Sequence, residues 1–156
     1  AFIDNIKENK QLKLYFIWSW NWENKLKEIS WEYLNKNIFF LWKKDHKKIP
    51  DYINSSDIMI SYVPKVDYFE YQPPTKLIEY LACNKPVIAT NTIVQCEILQ
   101  WFEELVHEDN FESTKVKIWE MIKILWSDEK YIKLVIGYSW KEMWFKINNL
   151  INENYK

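Results

Sequence analysis

The chain reads as an α/β domain, a parallel sheet covered by helices on both faces, on three observations. Short apolar runs rich in β-branched and aromatic residues, at 12–17, 37–41, 57–63 and 87–89, alternate with segments of helical period. Strands that alternate with helices build parallel sheets with right-handed crossovers. The stretch PPTKLIEYLACNKPVIATN, residues 73–91, joins a turn, a short amphipathic helix, a second turn and a buried strand without interruption. Finally, 156 residues with 48% hydrophobic content suffice for one domain with a real core and are too few for two of ordinary size.

In order, residues 1–10 read as the end of a helix with Phe2, Ile3 and Ile6 on one side, so the natural N-terminus is expected upstream. Residues 12–17 (LKLYFI) form a strand, 18–23 a turn, and 24–34 a helix with Leu26, Ile29 and Tyr33 at helical spacing. The strand 37–41 (NIFFL) precedes a charged loop, 43–48. Ile49, Tyr52 and Ile53 mark a short helix that tolerates Pro50 only in its first turn. After the strand 57–63, the longest loop, 64–72, mixes Lys65, Asp67 and Glu70 with Tyr68, Phe69 and Tyr71. Pro73 and Pro74 suit a first helical turn, so a helix is expected from there to Cys83, with Leu77, Ile78, Leu81 and Ala82 on its buried face. Asn84 and Lys85 close it ahead of Pro86, and 87–89 is a strand buried on both sides. A helix over 93–100, an edge strand over 104–107 and a helix over 113–125 follow, the last with Val116, Met121, Ile124 and Leu125 inward. From 128 on the pattern is helical, with a break near 137–139 and a terminal helix over 138–156 of one domain, 1–156. No internal repeat or low-complexity linker is present.

Charge and composition narrow the function classes. Lys plus Arg is 21 against 22 for Asp plus Glu, a balance that gives no reason to expect nucleic acid or an acidic membrane as partner. Arginine is absent, so a phosphate must be held by lysines, backbone amides or a helix N-terminus rather than by a guanidinium fork. Cys83 and Cys96 make no disulfide framework, and no secretory or spanning segment is visible, which leaves a reduced cytoplasmic setting as the expectation. The odd feature is one Gly beside ten Trp. Turns normally need glycine at positive backbone angles, and Trp18, Trp20, Trp22 and Trp42 stand directly after strand-like runs where a turn is due.

Ligands of open α/β sheets sit beyond the C-terminal strand ends. That rule sets the Trp18 turn, the Lys43 loop, the loop 64–72 and the start of the helix after Pro74 along one rim. Glu79, in the second turn of that helix, is either a solvated carboxylate or an acceptor for a ligand's paired hydroxyls. Thr75 and Lys76, with the helix-start amides beside them, suit an anion, because amides and helix dipole both favour negative charge there. His46 and His107 lack metal-ligand spacing and are expected at the surface, and no metal site is expected. Cys83 and Cys96 are expected as small core residues, and Asp57 as a turn residue. No nucleophile stands with a base and its orienter, so from the residues alone the chain is a ligand-binding domain without a named reaction.

The segments IPDYINSSDIMISYVP (49–64) and PPTKLIEYLACNKPVIATN together resemble the C-terminal, nucleotide-sugar-binding domain of GT-B glycosyltransferases, in particular the retaining family 4, or group 1, enzymes. The resemblance covers nearly the whole chain and implies a Rossmann-like three-layer fold. In that family the Glu of the EYLA helix bonds the donor ribose, which implies this role for Glu79. The residues just before it meet the donor's phosphates and sugar, which implies Thr75 and Lys76. KLYFIWSWNWE looks like the family's strand and Gly-rich turn, bringing in Trp18 and Trp20, and FFLWKKDH like the strand and loop bordering the base, bringing in Lys43. Where many members carry a second Glu eight positions earlier this chain has Tyr71, and the nearest acid is Glu70. The family's first strand and its basic phosphate-binding loop have no counterpart in the 156 residues.

The resemblance thus implies the donor half of an enzyme moving a sugar from a nucleotide diphosphate to a glycan or lipid-linked acceptor. No cofactor is implied beyond the nucleotide sugar as co-substrate. A missing N-terminal domain would carry the acceptor, this half alone would be inactive, and the full-length enzyme would be cytoplasmic or peripheral at the inner membrane face. Trp18, Trp20 and Trp42 occupy family glycine positions. The hypothesis that accounts for them is a gene in which UGA encodes glycine, rendered with UGA as tryptophan; UGG codons at these positions would refute it. Trp140 matches an aromatic the family uses and is expected to be genuine. The competing reading is a non-catalytic carbohydrate-binding or interaction module that stacks exposed tryptophans on sugar rings. A dinucleotide-dependent oxidoreductase is disfavoured, since no GxGxxG follows the strand 12–17.

Overall fold

The computed structural model describes residues 1–17, 23–72, 74–99 and 105–124. It is the expected Rossmann-like α/β fold, with helices packed on parallel strands. Helix α1 (Phe2–Glu8) leads into β1 (Leu14–Phe16); α2 (Glu23–Ile29) and a single 3-10 turn (Trp31–Tyr33) lead into β2 (Ile38–Phe40). A second 3-10 turn (His46–Lys48) runs into α3 (Ile49–Asn54), then β3 (Met59–Ser61) and α4 (Asp67–Glu70). The order continues α5 (Thr75–Ala82), β4 (Val87–Thr90), α6 (Ile93–Ile98), β5 (Val106–His107) and α7 (Phe111–Ile124).

Hydrogen bonding divides the strands into two parallel groups, β1-β2 and β3-β4-β5. In the first, Tyr15 lies opposite Phe39 and Phe16 opposite Phe40, and their rings stack at 4.9 and 4.8 Å between centroids. Such aromatic cross-strand pairs fix the register of a short ribbon. In the second, Met59 pairs Val87 and Ala89 pairs Val106. All four residues of β4 are buried, so this strand has no solvated face and must be apolar at every position up to Thr90. Leu77 and Leu81 of α5, Ile98 and Leu99, Leu105, and Ile118 and Met121 of α7 close the core around it.

Several local expectations need correction. The helix expected over 24–34 breaks after Ile29, and Ile29 is 61% exposed. Ser30 turns its hydroxyl onto the Leu26 carbonyl at 2.6 Å, a bond that competes with helix continuation. The long loop 64–72 contains α4. Val116, expected inward, is 52% exposed, and Ile118 takes its place beside Met121. An i, i+3 pair shares a helix face, and the period alone does not say which face meets the sheet. His107, expected at the surface, is buried, and Cys83 is half-buried rather than core, whereas Cys96 is buried. The C-terminal helix, Trp140, and Trp18, Trp20 and Trp22 lie outside the described residues.

Trp42, directly after β2, has φ 57. That is the left-handed region, open to glycine without cost and to Asn at a small one; the other two such residues in the described chain are Asn35 and Asn84. The backbone at position 42 is therefore of the glycine type that its place after a strand led us to expect. The Trp42 ring lies under Lys27 Nζ, 4.6 Å from the ring centroid.

Candidate functional site

Helix α5 orients three of the sequence-predicted residues through its period. Leu77 and Leu81 are both fully buried and, four apart, define the inward direction. At about 100° per residue Thr75, Lys76, Glu79 and Ala82 then fall on the opposite side. This is why Ala82, expected inward, is exposed, and why Ile78 at the boundary is half-buried. Thr75 and Lys76 are exposed and Glu79 is half-buried. No hydrogen bond or ion pair among the described residues engages the Glu79 carboxylate. Its charge together with burial lifts the neighbouring thiol of Cys83 above the ordinary range, burial being the larger cause and Lys85 opposing it. The same two causes, burial first, raise the Tyr80 hydroxyl.

Both ends of α5 are settled by backbone chemistry. At the C-terminus Asn84 takes φ 54, its amide reaches the Leu81 carbonyl at 2.9 Å and the Lys85 amide the Tyr80 carbonyl at 3.1 Å. This is a Schellman closure with Asn in the left-handed position, as the Asn84-Lys85-Pro86 run predicts. At the N-terminus Pro74 has no capping side chain, and its carbonyl accepts from the Leu77 and Ile78 amides at 3.0 and 3.4 Å. The helix thus presents the positive end of its dipole toward Thr75 and Lys76 with no carboxylate or hydroxyl of the N-cap residue in front of it.

The loop that delivers α5 is fastened to the C-terminal ends of β4 and β5. The Val63 amide donates to Thr90 Oγ1 at 2.8 Å. Asp109, in the turn after β5, accepts from Tyr62 Oη at 2.9 Å and from the Lys65 amide at 2.8 Å, one bond on each carboxylate oxygen. Glu70, at the end of α4, accepts from the Ile93 amide at 2.9 Å. In this structure its carboxylate covers the first turn of α6, an acidic group on the positive end of a helix. Beneath the loop lies a buried polar network. Ser61 donates to Gln95 Oε1 at 2.6 Å, and Gln95 Nε2 donates to the Thr90 carbonyl at 2.9 Å. Two further atoms at this rim, Asn91 Oδ1 and Thr92 Oγ1, are buried without a protein partner.

His107 closes the rim on the β5 side. Its Nδ1 lies 2.7 Å from the Glu108 carbonyl and 3.1 Å from Thr114 Oγ1, which ties β5 to α7. Nδ1 donates to the carbonyl, which leaves Nε2, buried and without a partner, as a bare lone pair. Burial depresses the imidazole pKa, with Glu108 and Asp109 opposing the shift and Lys117 adding to it. The ring is accordingly neutral at pH 7.

Of the sequence-predicted site residues, the structure therefore brings Thr75, Lys76 and Glu79 onto one face of α5 and sets Glu70 on α6 through its hydrogen bond. Lys43 is exposed on the connection after β2, and Trp18 and Trp20 lie outside the described residues. Sequence reasoning missed Thr90, Gln95 and Asp109. Gln95 carried a signal, an amide between the apolar Val94 and Cys96 of α6; Asp109 carried none, because its partners stand 44 and 47 residues away. Among the described residues no group of three or more His, Cys, Asp or Glu side chains is placed to hold a metal ion, and no helix is long and apolar enough to cross a membrane. Residues 1–135 match the model of a protein family described as "Glycosyl transferases group 1". No curated protein matches the chain.

Proposed function

With 135 of its 156 residues matched by that family model, the chain belongs to the group 1 glycosyl transferases, and we propose that it is the nucleotide-sugar donor half of a retaining, GT-B-type hexosyltransferase. The observation that carries this reading is Glu79: a half-buried carboxylate on α5, engaged by no hydrogen bond or ion pair among the described residues, on the face it shares with Thr75 and Lys76. A carboxylate held this way accepts two hydrogen bonds from vicinal hydroxyls, as a ribose offers them. Thr75 Oγ1, Lys76 Nζ and the start of α5 then meet the diphosphate. As the sugar leaves, negative charge grows on the diphosphate, and a fixed helix dipole with a lysine stabilises that charge without reorganising. The hydroxyl of Thr92, which can donate to a phosphate or a sugar, and the amide oxygen of Asn91, which can accept from a sugar hydroxyl, are buried without hydrogen-bond partners among the described residues and offer further polar contacts.

The acceptor, a glycan or lipid-linked glycan of polysaccharide biosynthesis, would be bound by a second domain, so this chain alone binds donor and does not transfer. The enzyme works in the cytoplasm or at the inner membrane face. The test is calorimetry with a panel of UDP- and GDP-sugars. One hydrogen-bonded carboxylate is worth about 1.5–3 kcal/mol, so Glu79→Ala should weaken the preferred donor by roughly 10- to 100-fold. Equal binding by the two proteins removes Glu79 from the site.

A further inference from the structure

The loop 62–72 is tied by polar contacts to segments distant in the chain, and one residue makes two of them. Asp109 lies in the turn between β5 and α7, exposed, and both of its carboxylate oxygens are spent on the loop: Oδ1 on the Tyr62 hydroxyl, Oδ2 on the Lys65 amide. Asn110 beside it caps α7, its Oδ1 accepting from the Ser113 amide at 2.8 Å, while Ser113 Oγ accepts from the Glu108 amide at 3.0 Å. The turn is therefore closed by hydrogen bonds of its own on the side of α7, and Asp109 projects from it toward the loop. Lys65 Nζ adds a long ion pair to Glu108 at 3.9 Å. At its far end the loop is stopped by Glu70 on the Ile93 amide, and it then runs through Pro74, whose ring restricts φ, into the first turn of α5.

We infer that Asp109 is a positioning residue for the donor site: its carboxylate latches the loop 62–72 to the β5–α7 turn and so fixes where the N-terminal turn of α5 points. The inference rests on the donor-site reading of α5. Both bonds are charge-assisted, and such bonds are shorter and stronger than neutral ones. They join segments 44 and 47 residues apart, so nothing local in the chain replaces them. The Tyr62 hydroxyl, its pKa raised by desolvation and by the Asp109 charge, stays protonated and remains the donor at neutral pH. The three tyrosine rings of the loop contribute little to holding it, since Tyr62, Tyr68 and Tyr71 are all largely exposed; Phe69 alone among its aromatic residues is half-buried. Without the carboxylate, the ties that remain among the described residues are the Val63 amide bond to Thr90, the Glu70 bond to α6 and the long Lys65–Glu108 ion pair. The turn of α5 that carries Thr75 and Lys76 then samples orientations in which it no longer faces the diphosphate together with Glu79.

Two variants test this. Asp109→Ala removes both acceptors, and Tyr62→Phe removes one donor while leaving the start of α7 intact. Backbone hydrogen exchange is read at Lys65, Leu77 and Ile78, and at Ile88 in the core strand. In Asp109→Ala the first three amides should exchange about tenfold faster, the scale of one charge-assisted hydrogen bond, with Ile88 unchanged; Tyr62→Phe should show a smaller change at the same amides. The Kd for UDP or GDP should rise about tenfold in Asp109→Ala, measured where the urea curve shows the variant fully folded, a loss of affinity that a lowered fold stability by itself would not produce. Wild-type exchange at Leu77 and Ile78 in both variants, or faster exchange that extends equally to Ile88, overturns the latch. Faster loop exchange with wild-type nucleotide affinity overturns the positioning role. A wild-type protein that binds neither nucleotide removes the donor-site reading instead, and the exchange data then still decide the latch.

Discussion

Replacing Trp42 by glycine and by alanine turns the one left-handed tryptophan of the described chain into a measurable sign. With φ 57 the β-carbon of any L-residue crowds the following carbonyl, at a cost of roughly 1–2 kcal/mol that glycine does not carry. Both variants lose the same ring and the same contact with Lys27 Nζ, 4.6 Å from the ring centroid, a cation–π interaction worth about 0.5–1 kcal/mol at an exposed site. The difference between the two variants therefore isolates the backbone. At an ordinary negative φ, alanine would be the more stable of the two by about 0.4–1 kcal/mol, because it has less unfolded-state freedom to lose. At this φ the order reverses, and Trp42→Gly should exceed Trp42→Ala by about 1 kcal/mol. In urea, with a slope of about 2 kcal/mol/M for a domain of this size, the midpoints should separate by about 0.5 M. An alanine variant as stable as the glycine variant, or more so, refutes the claim that position 42 is a glycine-type backbone.

Two further perturbations probe the rim beneath the loop. His107 is buried neutral with a pKa below its ordinary value. Above about pH 6.5 neither the folded nor the unfolded chain binds the extra proton, and below it only the unfolded chain does, so stability should fall as the pH drops from about 6.5 toward the depressed folded value. Urea midpoints between pH 7.5 and 5 should show this slope, and His107→Asn, which keeps a donor for the Glu108 carbonyl, should lack the part due to this residue; an identical slope in the variant assigns the effect elsewhere. Gln95→Leu leaves the Ser61 hydroxyl without its present acceptor and takes one of two donors from the Thr90 carbonyl, which keeps the Thr92 amide at 2.8 Å; the cost should be about 1–3 kcal/mol, and a thermal midpoint within a degree of wild type would show that the Ser61 hydroxyl finds another partner.

The reach of the sequence differs from element to element. Residues 73–91 were legible because every device there is local. Leucines four apart set the inward face of α5, Asn84 and Lys85 close it within the same turn, and an apolar run has no reading except a strand buried on both sides. Glu79, Thr75 and Lys76 follow from that geometry by helix period alone. The glycine-type backbone at position 42 was legible for a related reason, since chain reversal directly after a strand calls for a left-handed residue whatever the rest of the fold does. In α7 the same period misled: Val116 and Ile118 were both admissible inward residues, and only the position of β4 and β5 chose Ile118.

Glu70, Asp109 and His107 mark the other limit. A carboxylate's partner is an amide or hydroxyl that may come from any segment, and here the partners of Glu70 and Asp109 stand 23 to 47 residues away. His107 is buried because α7 folds back over β5, which its own neighbours do not announce. By itself, then, the sequence determined the α/β class, the helix that bears the candidate donor residues and the direction in which they point, since these depend on periods and caps within a few residues. Tertiary structure alone decided how the loop before that helix is fastened and which carboxylates bond across it. Those choices depend on bonds between distant segments, and such bonds exist only once the strands have set the segments side by side.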